Sequence, residues 1–181
     1  MSNKFGLLLV SLCLIILCLS QYSNQIAAAP DDYISLSKEE ALAVLAFPLY
    51  KDQIDGYYMP GVDLQNAYLP NARFFRATLV SADLRGAFLT TANFRQADLR
   101  LAQLSNADLT FAEFDNANLA DADLSESNLF LASFYSANLS GASLRGAKLH
   151  GALFAKAILP NGSTYKEGDD LVALFGAHEN P

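Results

Sequence analysis

The sequence predicts an all-β solenoid, a parallel β-helix whose coils have four sides. A large apolar residue recurs at every fifth position, without a slip, from Leu64 to Leu159. A small residue stands two positions before each of these twenty centres, and it is Ala in all cases except Val62 and Ser127. Neither an α-helix nor a flat strand repeats every five residues, whereas a coil of straight edges and tight corners does.

The phenylalanines indicate how many sides a coil has. A solenoid side chain meets the same surroundings once per coil, and every Phe among the centres lies twenty residues from the next. This spacing predicts four pentapeptides per coil and about five coils. Coils of parallel strands stack about 4.8 Å apart, within the range that suits offset aromatic rings. We therefore predict that one inner wall carries a core ladder formed by Phe74, Phe94, Phe114, Phe134 and Phe154.

The alternation of large and small residues suits a narrow interior. Close packing tolerates neither voids nor extra methylene groups, so a large centre requires a small neighbour. Ser127 is the one polar residue among the small positions. We expect its hydroxyl group to bond to the backbone, because buried polar groups are rarely left without a partner.

The repeated triplet resembles a known motif. In Ala107-Asp108-Leu109, Ala117-Asn118-Leu119 and Ala137-Asn138-Leu139 it is similar to the A(D/N)LXX motif of the pentapeptide-repeat family. The resemblance implies a right-handed quadrilateral β-helix with four pentapeptides to a coil. We assign residues 62–161 to this β-helix.

Residues 1–29 have the composition of a secretory signal. Lys4 is their only charged residue, an apolar run from Phe5 to Leu19 follows, and three alanines close the segment at Ala29. This order of a charged, an apolar and a small-residue region is typical of a cleaved signal peptide. We expect cleavage after Ala28 or Ala29. An uncleaved anchor helix is the alternative, although the apolar run is shorter than the roughly 20 residues of a typical span.

The segment before the repeats is expected to cover one end of the β-helix. Open ends of a solenoid expose strand edges, which need a cover. Residues 30–61 are predicted to form a capping helix and a linker. Ser37 to Glu40 reads as a capping box, and the amphipathic run after it stops at Pro48.

Residues 162–181 are predicted to form a C-terminal cap and tail. Asp169 begins a short helix that extends to Phe175, with Gly176 as its stop. Leu153 and Ile158 occupy outward positions of the last coil, and we expect this helix to cover them.

No set of residues indicates an active site, a metal site or a cofactor. Both cysteines of the chain lie in the leader, and only two histidines follow it, His150 and His178. Zinc and thiol chemistry are therefore not expected, and neither histidine has a carboxylate partner for nucleophilic catalysis. Four aspartates occupy the polar slot of the motif, where short side chains bond to turn backbone: Asp83, Asp98, Asp108 and Asp123.

The charges are acidic overall and unevenly distributed. The formal net charge of −7 argues against nucleic-acid binding, which needs clustered Lys and Arg. Between Leu101 and Leu144 there are six acidic residues and no basic one, whereas five arginines precede that stretch. The sequence leaves two interpretations open, a solvated surface or an oriented docking surface.

Large apolar residues also occupy outward positions. They share the wall whose centres run from Leu69 to Leu149, and contiguous exposed apolar surface usually marks a contact site. These residues form the predicted interaction patch: Tyr68, Phe88, Phe111, Phe130 and Leu131.

The sequence therefore predicts a non-catalytic, exported module for protein interaction or scaffolding. Its partner is an unidentified protein or a second copy, with no nucleic acid and no membrane contact after signal removal. The leader and the repeats together resemble lumenal and periplasmic members of the family, which implies the thylakoid lumen or the periplasm, with secretion as the alternative. The competing hypothesis is an acidic DNA mimic that binds and protects a topoisomerase.

Overall fold

The computed structural model describes residues 56 and 58–172, all within the compact unit Ser35–Pro181. The predicted signal peptide and the predicted N-terminal capping helix lie outside the described residues. So do residues 173–181, which include most of the predicted C-terminal helix and His178.

The described chain coils with a period of twenty residues. Single-residue parallel bridges join positions twenty apart, from Tyr58↔Thr78 to Asn138↔Ile158. Each bridging residue directly precedes an apolar centre, and a corner follows, so the described part of the chain has bridges in place of longer strands. This offset is the one that four pentapeptides per coil require. We call the centres that lie twenty residues apart, with their flanking residues, a wall.

Each corner is a tight turn with one residue in the left-handed region. At the corner after Leu64, Ala67 N donates to the Leu64 carbonyl at 3.0 Å, and Asn66 has a φ of 56°. The edges are held by bonds between coils, such as Leu64 N to the Asp83 carbonyl at 2.7 Å. This pattern continues along the repeats, so the backbone is satisfied mainly by neighbouring coils.

The core is a column of Leu, Phe and Ala side chains. The five phenylalanines of the core ladder are at most 3% exposed. Their rings stack with centroids 4.7–5.0 Å apart and interplanar angles of 2–8°. Ser127 is fully buried, and its Oγ donates to the Leu124 carbonyl at 2.7 Å, which confirms the expected backbone bond.

The C-terminal end contains a chain reversal that the repeat pattern does not predict. After the last corner the chain reverses, and Ile158 and Thr164 form an antiparallel bridge. Tyr165 then places its ring 6.0 Å from Phe154 and extends the aromatic column. Residues 171–172 are helical, and Leu171 packs against the core. Leu153 is 61% exposed and Ile158 38%, and most of the helix predicted to cover them lies outside the described residues.

Candidate interaction surface

The aspartates of the polar slot are structural. In all four, Oδ1 accepts a hydrogen bond from the backbone N–H two residues later, at 3.0–3.3 Å. Asp123, for example, accepts from Ser125 N at 3.0 Å. This bond satisfies an N–H group at the corner, which explains why Asp and Asn recur at this slot.

Three arginines that precede the acidic stretch have carboxylate partners. Arg85 bonds Asp83 at 2.6 Å and Arg100 bonds Asp98 at 2.7 Å. These hydrogen bonds, followed by the attraction between the charges, raise the pKa of both guanidinium groups above its ordinary value. Arg95 lies 3.8 Å from the carboxylate of Asp115. These neighbouring carboxylates offset the positive charge of the arginines that precede the acidic stretch. Charge alone therefore does not define a docking surface.

The predicted interaction patch is largely exposed. Tyr68 is 77% exposed, Phe88 50%, Phe111 49% and Leu131 42%, whereas Phe130 is half-buried. These residues lie on one wall and on the corner that follows it, and they span four successive coils. Large side chains thus present apolar surface to solvent along most of this wall.

Ring contacts divide the patch into two groups. In the wall pair, Tyr68 and Phe88 have ring centroids 6.1 Å apart. The corner group comprises Phe111, Phe130 and Leu131, and its two rings meet edge to face at 5.9 Å. The wall pair lies on the N-terminal coils, and the corner group lies on later coils, displaced around the corner.

A polar network fills the wall beside the corner group. Asp108 bridges to Phe88 in the preceding coil and accepts a hydrogen bond from Thr110 Oγ1 at 2.6 Å. Asn128 Nδ2 donates to the same hydroxyl oxygen at 2.9 Å. The two apolar groups are therefore separate along the wall.

His150 extends the corner group. Its ring stacks on Phe130 with centroids 5.6 Å apart and an interplanar angle of 7°. The sequence interpretation left this histidine out of the patch. The twenty-residue offset from Phe130 to His150 was the signal that could have included it.

Two members of the corner group occupy the left-handed position that each corner contains. Phe111 has a φ of 59° and Leu131 a φ of 55°. Steric contact between Cβ and the carbonyl oxygen makes this left-handed region cost roughly 1–2 kcal/mol per residue for side chains other than glycine. Leu131 also lies across Gly151, where an added Cβ would stand 2.6 Å from Leu131 Cδ2.

The wall pair occupies slots that in many other pentapeptides hold an acceptor. Tyr68 and Phe88 stand where the motif has Asp or Asn, and their rings cannot accept the corner N–H. Pro70, two residues after Tyr68, has no N–H to donate, whereas Thr90, two residues after Phe88, does have one.

The described residues contain no group of three or more His, Cys, Asp or Glu placed to hold a metal ion. Their buried side-chain nitrogen and oxygen atoms all have hydrogen-bond partners. Over the same residues, no helix combines the length and the apolar character that a membrane crossing requires.

A family model supplies the decisive comparison. The model described as pentapeptide repeats matches eight copies, over residues 61–96, 97–134 and 132–161. The chain belongs to the pentapeptide-repeat family. Proteins of this family form right-handed quadrilateral β-helices, and the twenty-residue bridges of this chain have the corresponding period.

Solved structures of pentapeptide-repeat proteins are similar to this chain. A protein of the Arabidopsis thaliana thylakoid lumen is 33% identical, covering 52% of this chain and 68% of that one, with a TM-score of 0.43. A protein of the cyanobacterium Cyanothece is 23% identical, covering 62% and 86%, with a TM-score of 0.41. QnrB1, a plasmid-mediated fluoroquinolone resistance protein, is 17% identical, covering 66% and 78%, with a TM-score of 0.28. Comparison with curated proteins finds no match.

Proposed function

We propose that this pentapeptide-repeat protein is a non-catalytic, exported module for protein interaction or scaffolding. The patch of Tyr68, Phe88, Phe111, Phe130 and Leu131 is its contact surface. The observation that carries the proposal is the run of bulky, solvent-exposed apolar side chains on one wall and its corner over four successive coils.

The energetics support a contact role for the corner group. Phe111 and Leu131 together cost roughly 2–4 kcal/mol in backbone strain. Neither side chain recovers this by full burial within the chain, because 49% and 42% of their surfaces stay exposed. The other non-glycine corner residues, such as Leu101, have the same left-handed φ, so this strain belongs to the fold and the support for contact comes from the exposed apolar surface. Burial of that surface against a partner would be favourable.

The outer walls of the solenoid favour binding over catalysis. The slot aspartates are committed to backbone bonds, and Arg85, Arg95 and Arg100 have carboxylate neighbours. Catalysis needs convergent groups within a cleft, whereas flat walls suit extended contact with another macromolecule. We propose no metal and no cofactor.

The finer organisation and the location are part of the proposal. We propose a signal peptide over 1–29, a capping segment over 30–61, about five coils over 62–161 and a C-terminal cap over 162–181. The apolar leader and its small-residue exit support export. The thylakoid lumen or the periplasm is the proposed compartment, and secretion is the alternative.

The DNA-mimic hypothesis has weaker support. A mimic of duplex DNA needs a continuous negative surface, and the acids Glu113 and Asp115 lie 4.0 and 3.8 Å from Arg95. The leader would also carry the chain away from DNA. Fractionation of a tagged protein separates the two hypotheses, because retention in the cytoplasm would favour the topoisomerase-binding role.

Affinity capture from the exported fraction tests the interaction surface. Tagged wild type is expected to retain a partner that the Phe111→Asp/Phe130→Asp variant loses. Leu101→Asp is the matched control, because Leu101 is 51% exposed and also has a left-handed φ, of 61°, but lies on another corner. A melt of each variant shows that the fold is retained. Equal capture by all three proteins would contradict the proposal.

A further inference from the structure

We infer that Asn161 and Gly162 form a self-modifying site, where the Asn161 side-chain amide is converted to isoaspartate and the C-terminal reversal is loosened as a result. The site lies in the chain reversal after the last coil, and it shares no residue with the proposed contact surface. Water is the only other reactant.

The backbone nitrogen that follows Asn161 is unhindered. Asn161 is the only asparagine of the sequence that is followed by glycine. Glycine lacks a Cβ, so its backbone nitrogen is more accessible to a neighbouring side chain than that of any other residue. Residues 161–164 are all exposed, and a Cβ added at Gly162 would meet no atom within 4 Å. An amide carbon and a backbone nitrogen therefore stand side by side with open space around them.

Ser163 supplies two donors to the oxygen of that amide. Its N–H donates to Asn161 Oδ1 at 2.9 Å, and its Oγ–H donates to the same oxygen at 2.7 Å. This oxygen takes up negative charge when a nitrogen adds to Cγ. Donors that already point at the atom where charge develops stabilise the transition state. The two bonds from Ser163 therefore promote attack on the amide carbon.

The reaction balances with water alone. The Gly162 nitrogen forms a bond to Asn161 Cγ and releases its proton to solvent, while the Cγ–Nδ2 bond breaks and Nδ2 takes up a proton and leaves as ammonia. Water then opens the cyclic imide. Cleavage between the Gly162 nitrogen and Cγ gives aspartate. Cleavage between that nitrogen and the main-chain carbonyl carbon gives isoaspartate, in which the chain runs through Cβ and Cγ.

Asn138 provides an internal comparison. Its Oδ1 also accepts a bond from the N–H two residues later, that of Ser140, at 3.1 Å. Leu139 is fully buried, however, and its nitrogen donates to a carbonyl of the next coil at 2.8 Å. Gly162 N instead donates within its own turn, to the Leu159 carbonyl. An exposed bond at a chain end opens more readily than one between stacked coils, so the reaction is favoured at the reversal.

Isoaspartate changes the fold because it adds one carbon to the main chain where the chain reverses. The reversal is held by Leu159 N, which donates to the Ser163 carbonyl at 2.7 Å, and by Tyr165 N, which donates to the Ala157 carbonyl at 2.8 Å. A longer main chain displaces both donors from their acceptors. It also moves the Tyr165 ring away from Phe154, so the C-terminal end of the aromatic column is loosened.

Peptide mapping of the incubated full chain is the first test. Trypsin releases residues 157–166, in which Asn161 is the only asparagine. After incubation at mildly alkaline pH, this peptide should gain the mass of one amide-to-acid conversion and become a substrate of isoaspartyl methyltransferase. The control is the peptide 101–145, whose five asparagines are all followed by Ala or Leu. Equal conversion of the two peptides, or none in 157–166, would overturn the site.

Substitution of Ser163 tests the promoting bonds. Ser163→Ala keeps the N–H donor and removes the hydroxyl, so conversion should slow by about tenfold, a smaller effect than for a donor in a water-excluded site. Ser163→Thr keeps a hydroxyl and should retain most of the rate. Ala and Thr variants that react at the same rate would overturn the role of the hydroxyl group.

Hydrogen exchange tests the effect on the reversal. The converted fraction of wild type is compared with freshly purified Asn161→Asp, which carries the same charge on an unchanged main chain. The amides of Leu159 and Tyr165 should exchange faster in the converted protein than in Asn161→Asp. Identical exchange in the two proteins would show that the added carbon does not loosen the reversal.

Discussion

Phe94 and Phe114 lie face to face, with ring centroids 5.0 Å apart and ring planes within 2°. Their separation equals the distance between stacked parallel strands, about 4.8 Å, to within a few tenths of an ångström. The side chains therefore repeat the spacing of the backbone. A column of identical rings reports directly on whether neighbouring coils remain in register.

Phe114→Ala should destabilise the protein by about 3–5 kcal/mol, because it removes a buried ring and leaves a cavity between Phe94 and Phe134. Urea unfolding followed by circular dichroism measures this change. Phe88→Ala is the control, since half of its surface is already exposed and its loss should cost much less. Similar losses for the two variants would show that the ladder contributes little to stability.

Ala107→Leu should reduce the free energy of unfolding by about 1–3 kcal/mol. Ala107 is 1% exposed, so the added carbons have no free volume to occupy. Ala155→Leu serves as the control, because Ala155 is exposed at a corner. Thermal or urea unfolding measures both variants. An unchanged melt for Ala107→Leu would mean that the interior is not closely packed.

Asp123→Ala should lower the free energy of unfolding by about 1 kcal/mol, the typical net contribution of one hydrogen bond. The variant removes the acceptor of Ser125 N, and Asp123→Asn keeps an oxygen at the same place. We expect Asn to retain most of the stability in urea unfolding. If Asn and Ala are equally destabilising, the slot selects for charge and not for the backbone bond.

Lys156→Met should raise the pKa of the Tyr135 phenol. Lys156 Nζ donates to Tyr135 Oη at 2.6 Å, and this bond, with the attraction of the ammonium charge, lowers the phenol pKa below its ordinary value. The wild-type ring is therefore expected to ionise at lower pH than the variant ring. NMR titration of tyrosine labelled at Cζ measures the shift, and Lys166→Met is the control. Coincident titration curves for wild type and Lys156→Met would contradict the assigned cause.

The repeating part of the fold could be predicted from the sequence because each pentapeptide repeats the same pattern, a small residue two positions before a large apolar one. A period of five placed the corners, and the twenty-residue spacing of Phe74 and its successors predicted four sides. The bridges at an offset of twenty have that period. The role of Asp108 and the other slot aspartates followed from the hydrogen-bonding habits of short side chains at turns.

The features outside the repeat were harder to predict. The reversal that pairs Ile158 with Thr164 lies at the end of the repeats and involves a segment that is not itself repeated. The five-residue period therefore does not predict it. Tyr165 was not expected to extend the aromatic column, because the only element predicted beyond the last coil was the helix that begins at Asp169. The separation of the patch into the wall pair and the corner group was also not predicted. The spacing of residues in the sequence does not determine which outward rings contact each other.

The twenty-residue offset of the bridges makes the length of this protein adjustable in whole turns. Inserting one further copy of residues 104–123 would preserve every later inward face and lengthen the structure by about 4.8 Å. Deleting a single pentapeptide would instead rotate all subsequent residues by a quarter turn, so that leucines face the stacked phenylalanines. Evolution can therefore change the length of such a β-helix only by whole coils of twenty residues. A surface built from residues of several coils is retained only when a whole coil is inserted or deleted.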